Sequence, residues 1–325
     1  MTVFSILHSA EEWRAKFGPS GVRATLSVGN FDGLHLGHRK ILQQVVERAR
    51  AAGTIAAVVT FDPHPLKVLR PAQAPPLVQT LGQRLAGIQS MGLDAAAVLH
   101  FDAALAALPA TKFVTDVLVN SLRAATILVG QTFRFGHRQA GDVALLQELG
   151  AQLGFAVEIV PPVVVAGQAV SSTAVRRAVL DGRPGDAARL LGRPFTLTGA
   201  IERGSGRGST ILFPTLNLLP EQELLPKTGV YATEVKIAGK LYGAATNVGF
   251  RPTFDGTRLT IESHLFDFSE KLSAGRLEVL FWERLRDERK FTGPEELRRQ
   301  IAADFDAARD FLQRLEQTRG TPQRA

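Results

Sequence analysis

The hydrophobic pattern divides the chain into two halves with different periods. In the first, short apolar runs alternate with segments whose apolar residues recur every three or four positions. Residues 24–28 (ATLSV) and 55–61 (IAAVVTF) read as strands, and the second is continuously apolar, as in a parallel sheet covered on both faces. Residues 95–99, 125–129 and 157–160 repeat that pattern. Between them, residues 37–51, 80–91, 111–122 and 142–153 have helical spacing; in the last, Val143, Leu146, Leu149 and Leu153 share one face. Strand and helix in alternation predict a Rossmann-like open parallel sheet with helices packed on it.

After residues 181–184 the period changes. Strands follow one another at 195–202, 211–218, 230–237, 241–248, 259–268 and 276–282, joined by Gly, Pro and Asp. Closely spaced antiparallel strands predict a small β-barrel. A C-terminal helix closes the chain, with Thr292 as its cap and Pro294 in its first turn. Leu297, Ile301, Phe305, Ala308, Leu312 and Leu315 form its apolar stripe. The expected division is 1–184 and 185–325, with the last residues, GTPQRA, frayed.

Length and composition agree with this. A chain of 325 residues, 45% hydrophobic and 21% charged, suits two packed cores and excludes disorder. The absence of cysteine excludes disulfides, thiolate nucleophiles and cysteine metal sites. The N-terminus meets Glu11 and Glu12 before any long apolar core, and no apolar run is long enough to span a bilayer. The expectation is a cytoplasmic enzyme, monomeric or weakly homo-oligomeric, with no membrane partner. A net charge of +7 points to anionic partners. The basic residues are dispersed, without a basic block or an aromatic-plus-basic sheet, so small phosphate ligands are favoured over nucleic acid.

The strongest local signal is GNFDGLHLGH, from Gly29 through Phe31, Asp32, His35 and Gly37 to His38, between the first strand and the first long helix. Helix amides and the positive dipole end face a ligand there, and imidazoles donate to phosphate oxygens. Adenylyl transfer asks for such donors and an in-line acceptor, with no nucleophilic side chain. The bland alternative is two loop histidines at a turn. A zinc site would need further ligands, from His64, His100 or His137. Ser171, Ser172 and Thr173 open a helix with Arg176 one turn along, and Asp62, Pro63 and His64 end the second strand, where open sheets bind ligands.

In the second half, Gly204, Gly206 and Gly208 form a glycine-rich loop able to present amides to phosphate, or a plain turn. Thr215 and Asn217 supply oxygen donors of the kind magnesium prefers. Glu262 lies on an alternating strand, either as a base for a hydroxyl attacking a γ-phosphate or as an ordinary solvated carboxylate.

These motifs, in this order, resemble the bacterial bifunctional riboflavin kinase/FAD synthetase family over nearly the whole chain. The resemblance rests on GNFDGLHLGH, FDPHP, FRFGHRQAGD and SSTAVR, then FPTLN, GVY, NVGFRPTF and IESHLFDF. It implies ATP and Mg2+ acting with riboflavin and FMN. His35, His38 and Arg176 would handle ATP phosphates, and Phe133 and Gly136 would border the nucleotide. Thr215 and Asn217 would hold magnesium, Glu262 would be the base, and Asn247, Arg251 and Thr253 would lie near the flavin. Four positions depart from the family pattern: Thr132 for Asp or Asn, Ser209 for Arg, Leu212 for Gly, and Ser273 for Tyr. Ser209 and Leu212 leave open an adenylyltransferase whose barrel only binds flavin; a third reading is a non-enzymatic, basic flavin- or nucleic-acid-binding module.

Overall fold

The computed structural model describes residues 3–202, 215–253, 256–270, 272 and 274–320, except the side chains of 251–253, 256–258 and 319–320. The glycine loop with Gly204, Gly206, Gly208, Ser209 and Leu212 lies outside the described residues, as does Ser273. Two compact units are present, Met1–Ser172 and Thr173–Ala325.

The first unit holds six strands: β1 (Ser5–Leu7), β2 (Ala24–Val28), β3 (Ile55–Asp62), β4 (Ala95–His100), β5 (Ala124–Gly130) and β6 (Ala156–Val160). They form one parallel sheet in the order β1-β4-β3-β2-β5-β6. Its helices are α1 (Ala10–Phe17), α2 (Leu36–Ala52), α3 (Pro65–Leu69), α4 (Leu81–Ser90), α5 (Ala103–Ala107), α6 (Ala110–Lys112) and α7 (Val143–Leu153). The alternation along each strand explains the continuous apolar runs. Ala57 and Val59 join a core with Trp13, Phe113 and Leu146, while Ala56 and Val58 join a second core with Leu42, Val45 and Ile88. The predicted helix 111–122 is instead α6 followed by a π-helical stretch, Phe113–Ser121, in which Ser121 Oγ donates to the Asp116 carbonyl five residues back. A two-strand hairpin, β7 (Val164–Val165) with β8 (Gln168–Ala169), precedes α8 (Ser172–Leu180).

The second unit contains α9 (Pro184–Leu191) and six strands: β9 (Phe195–Glu202), β10 (Thr215–Pro220), β11 (Gly229–Ile237), β12 (Lys240–Thr253), β13 (Gly256–Leu265) and β14 (Arg276–Arg286). They close into an antiparallel barrel, β10-β13-β12-β11-β14-β9. The final helix, α10 (Pro294–Gly320), lays Ile301, Phe305, Ala308, Leu312 and Leu315 against Ala232, Ala245 and Phe266, so the predicted stripe is the packed face. Thr292 does not cap it as an acceptor. Its amide and hydroxyl both donate to the Glu296 carboxylate, at 2.9 and 2.8 Å, and the Leu297 amide donates to the Gly293 carbonyl. Gly320 belongs to the helix, and the rest of the expected fray lies outside the described residues.

Candidate active sites

In the first unit the chain steps from β2 outward to β3 and β4, then crosses back to β5 on the other side of β2. The switch point lies between β2 and β5, and ligands of open α/β sheets bind outside the carboxyl ends of strands at such a crevice. The loop after β2 carries Gly29–His35 and the loop after β5 carries Phe133–Gly136, so both motifs leave from the two strands that flank it.

His35 is the N-cap of α2: its Nδ1 accepts the His38 backbone N–H at 3.3 Å. A neutral His35 therefore carries its proton on Nε2. His38 stands on the first turn, and the two rings stack with centroids 3.6 Å apart at 16°. Phe31, buried and with φ of 50°, presents its ring to His38 at 5.3 Å. Gly37 leaves room for the His35 ring: a Cβ there would fall 3.2 Å from it, a tight contact that the ring would have to relieve by a small shift. His38 Nδ1 is buried without a hydrogen-bond partner among the described residues. Burial, then the charges of His35 and Arg84, hold the His38 pKa well below its ordinary value, so it is a neutral imidazole at physiological pH.

Asp32 is engaged by the backbone of another loop. Its carboxylate accepts the backbone N–H groups of Val78 and Gln79, both at 3.1 Å, and its carbonyl accepts Ser172 Oγ at 2.8 Å. It is a buried latch between loops, 2% exposed. His64 is also turned inward. Its Nδ1 accepts the Leu66 amide at 3.2 Å, and its Nε2 lies 3.2 Å from the Asn30 side-chain amide. The Asn30 atom that faces this nitrogen is Nδ2, so donor and acceptor roles there follow the His64 tautomer. Asp62 closes β3, and Pro63 follows it across a cis peptide bond.

Past β5, Phe133 stacks on Phe135 at 5.4 Å and 18°. Gly136 has φ of 73°, and a Cβ there would lie 2.5 Å from the Ala110 Cα, so only glycine fits. Thr132 is exposed at the head of this loop. Ser171 and Thr173 are exposed, whereas Arg176 is buried on α8 and falls in the second unit.

On the barrel, register brings three polar side chains into one row. Asn217 of β10 and Asn247 of β12 both pair with Glu262 of β13, one on each side. Directly opposed residues share a face with Cβ atoms about 5 Å apart. Thr215 stands two residues before Asn217, hence on that face, and pairs with His264. His264 packs edge-on against Phe305 of α10 at 5.9 Å, which gives it a structural place beside Glu262. Arg251 and Thr253 contribute backbone to the far end of β12. The face also includes a residue that sequence reasoning missed. A Cβ on Gly249 would lie 1.9 Å from Glu288 Oε1 and 3.0 Å from Asn247 Nδ2, so Glu288 reaches the same row from the segment after β14. No local motif marks Glu288. Arg84 and Asn30 were missed for the same reason: their contacts are long-range.

An open parallel sheet with paired histidines at its switch point, and an antiparallel barrel with a carboxylate between two amides, define a two-domain phosphate-chemistry enzyme. Family models match both parts: FAD synthetase over residues 20–174 and riboflavin kinase over residues 191–312. The chain belongs to the bifunctional riboflavin kinase/FMN adenylyltransferase family. The Escherichia coli K12 member is 38% identical over 289 residues, 88% of this chain and 92% of that protein. The Haemophilus influenzae member is 33% identical, over 88% of this chain and 94% of its own length. The solved structure of a Streptococcus pneumoniae chain described as a macrolide-efflux protein aligns with a TM-score of 0.80 at 30% identity. It covers 88% of this chain and 94% of its own. Among the described residues, no helix is long and apolar enough to cross a membrane.

Proposed function

We propose that this chain converts riboflavin to FAD in two ATP-dependent steps, one in each unit. The observation that carries the reading is the coexistence of the stacked His35–His38 pair at the sheet's switch point with the Asn217–Glu262–Asn247 row on the barrel. Both family models and the names of the relatives support it. We place the domain boundary near residue 184, in the segment between the two family matches, and the protein in the cytoplasm as a monomer or weak homo-oligomer.

On the barrel, Glu262 takes the proton of riboflavin's 5′-hydroxyl as its oxygen attacks the γ-phosphorus of ATP, and ADP leaves. Thr215 and Asn217 offer a hydroxyl and an amide oxygen on one face, a donor set that suits magnesium already bound by the phosphates of ATP. Bound there, the metal neutralises phosphate charge. Asn247 and the strand end with Arg251 and Thr253 shape the flavin side, and the glycine loop with Gly204, Gly206 and Gly208, which the motif assigns to the nucleotide, lies outside the described residues.

In the first unit, an FMN phosphate oxygen attacks the α-phosphorus of ATP and pyrophosphate departs. His35 and His38 donate to the phosphate oxygens as charge builds on them. The motif also assigns Arg176, Ser171, Ser172 and Thr173 to that task. Phe133 and Gly136 border the nucleotide, and Pro63 and His64 border the flavin. Asp32 holds the loops that present these groups, and Asp62, at the end of β3, borders the nucleotide.

The test is a time course of purified protein with ATP, magnesium and riboflavin, with flavins separated by chromatography. FMN followed by FAD supports the reading. FAD formed from added FMN but never from riboflavin would favour the second reading, motivated by Ser209 and Leu212, of an adenylyltransferase whose barrel only binds flavin.

A further inference from the structure

The first unit contains a buried cation that no sequence motif marks. Arg84 lies on the first turn of α4 and is 4% exposed. Its Nη1 donates to the Asn30 carbonyl at 2.7 Å and its Nη2 to the Phe61 carbonyl at 3.0 Å. Asn30 follows β2 inside the loop that carries the two histidines, and Phe61 sits at the end of β3 beside Asp62, Pro63 and His64. Thr60 Oγ1 donates to the same Asn30 carbonyl at 3.3 Å. One guanidinium therefore spans the carboxyl ends of two neighbouring parallel strands.

The arginine is itself placed by the loop it holds. Asp32 fixes the backbone amides of Val78 and Gln79, immediately before Thr80 caps α4 in a reciprocal box with Gln83. The chain of contacts runs from the β2 loop through Asp32 to the start of α4, and returns through Arg84 to Asn30. Two carbonyls alone could be tied by a neutral amide, whereas burying a guanidinium without a paired carboxylate is unfavourable. The charge has neighbours that the mechanism uses. Asp32 and Asp62 face it with favourable charge, and His38 feels it as a repulsion that adds to that of His35. Arg84 Nε is buried and has no acceptor among the described residues.

We propose that Arg84 is a positioning residue for adenylyl transfer: its fork fixes the two loops that carry His35, His38 and His64. The proposal rests on the first unit being the site of FAD formation. Catalytic groups displaced by about 1 Å lose on the order of a hundredfold in rate, so the fork acts on kcat more than on substrate affinity.

The experiment compares the full chain with Arg84→Met and Arg84→Lys, assaying FAD formation from FMN and riboflavin phosphorylation on the same preparations. Arg84→Met is expected to lower kcat for FAD formation about tenfold or more, while KM for FMN and the kinase rate stay within about twofold to threefold. Arg84→Lys, which keeps the charge and loses the fork, falls between. A merely structural role would not move the titration of His38. By NMR, its midpoint should rise in Arg84→Met, though burial and His35 still hold it below the ordinary value, and it should stay at the wild-type position in Arg84→Lys. Wild-type kcat and an unmoved His38 midpoint in Arg84→Met overturn the proposal. If Arg84→Met fails to fold, Arg84→Lys decides: a several-fold loss of kcat with unaltered melting supports the proposal, and wild-type kcat overturns it. A wild-type chain that makes no FAD from FMN refutes instead the reading beneath it.

Discussion

His35 and His38 are stacked face to face at 3.6 Å because one of them caps the helix on which the other rides. The cap fixes the His35 tautomer, and the helical step sets the spacing of the two imidazoles at the helix N-terminus. His38→Ala removes one of the two donors that meet charge developing on the phosphates. FAD formation from FMN is expected to fall by about two to three orders of magnitude, while riboflavin phosphorylation persists. Unchanged FAD synthesis in a kinetic assay of this variant would remove His38 from the site.

The lowered pKa of His38 also makes stability depend on pH. Between its folded pKa and the ordinary 6.5, the unfolded chain binds a proton that the folded chain does not. Stability therefore rises with pH through that window, and it is lost as pH falls below the ordinary value. His35 and Arg84 are the charged groups that face His38 and oppose its protonation. Thermal unfolding of wild type and His38→Gln at about pH 7 and pH 5 should show the smaller acid penalty in the variant. Equal penalties would assign the acid sensitivity to another group.

Glu262 lies between Asn217 and Asn247 across two ladders, a placement that orients a carboxylate without neutralising it. Glu262→Gln preserves shape and hydrogen bonding but cannot accept the hydroxyl proton. Riboflavin phosphorylation should drop by about two orders of magnitude or more, with FMN adenylylation intact. Loss of both activities would show that the two units do not work independently.

Much of this was legible in the chain. Period and punctuation marked the sheet strands β2 to β6 and the barrel strands, because continuous apolar runs and clean alternation each reflect a face that must be buried. β1 escaped because three residues at a sheet edge carry too little pattern, and the helix at 111–122 was legible but its π-helical form was not, because a π-helical turn has nearly the same apolar spacing as an α-helix. At the sites, the histidines, Thr215, Asn217 and Glu262 were visible as motifs. The inward turn of Asp32 and His64 was not, since their partners, Val78, Gln79 and Asn30, lie some 30 to 47 residues away in the chain. Arg84 and Glu288 were invisible for the same reason.

Gly136 supplies a prediction about the loop rather than its side chains. Its left-handed φ of 73° disfavours any L residue, and an added Cβ would meet Ala110 backbone at 2.5 Å. Gly136→Ala combines strain of roughly 1–3 kcal/mol with an overlap that backbone must relieve. The melting temperature of the first unit should fall by several degrees, and KM for ATP should rise as the loop shifts. A melting curve and KM equal to wild type would show that the loop yields without consequence.

The barrel interior carries a row of buried hydroxyls on three adjacent strands. Thr246 Oγ1 lies 2.6 Å from Thr233 Oγ1 and 2.8 Å from Ser263 Oγ, and all three residues are fully buried. Thr233 also donates toward the Ala244 carbonyl at 3.3 Å, so the chain of hydroxyls has an anchored end. Thr246→Val keeps the volume and removes the central partner, leaving Ser263 to bear most of the loss, at about 1–3 kcal/mol. Adding Ser263→Ala removes the stranded hydroxyl and should recover part of that stability, because an unmade buried hydrogen bond costs more than an absent one. Denaturant titration of the single and double variants measures the coupling. A double variant no more stable than Thr246→Val alone would mean that the row is three independent hydroxyls and not a connected network.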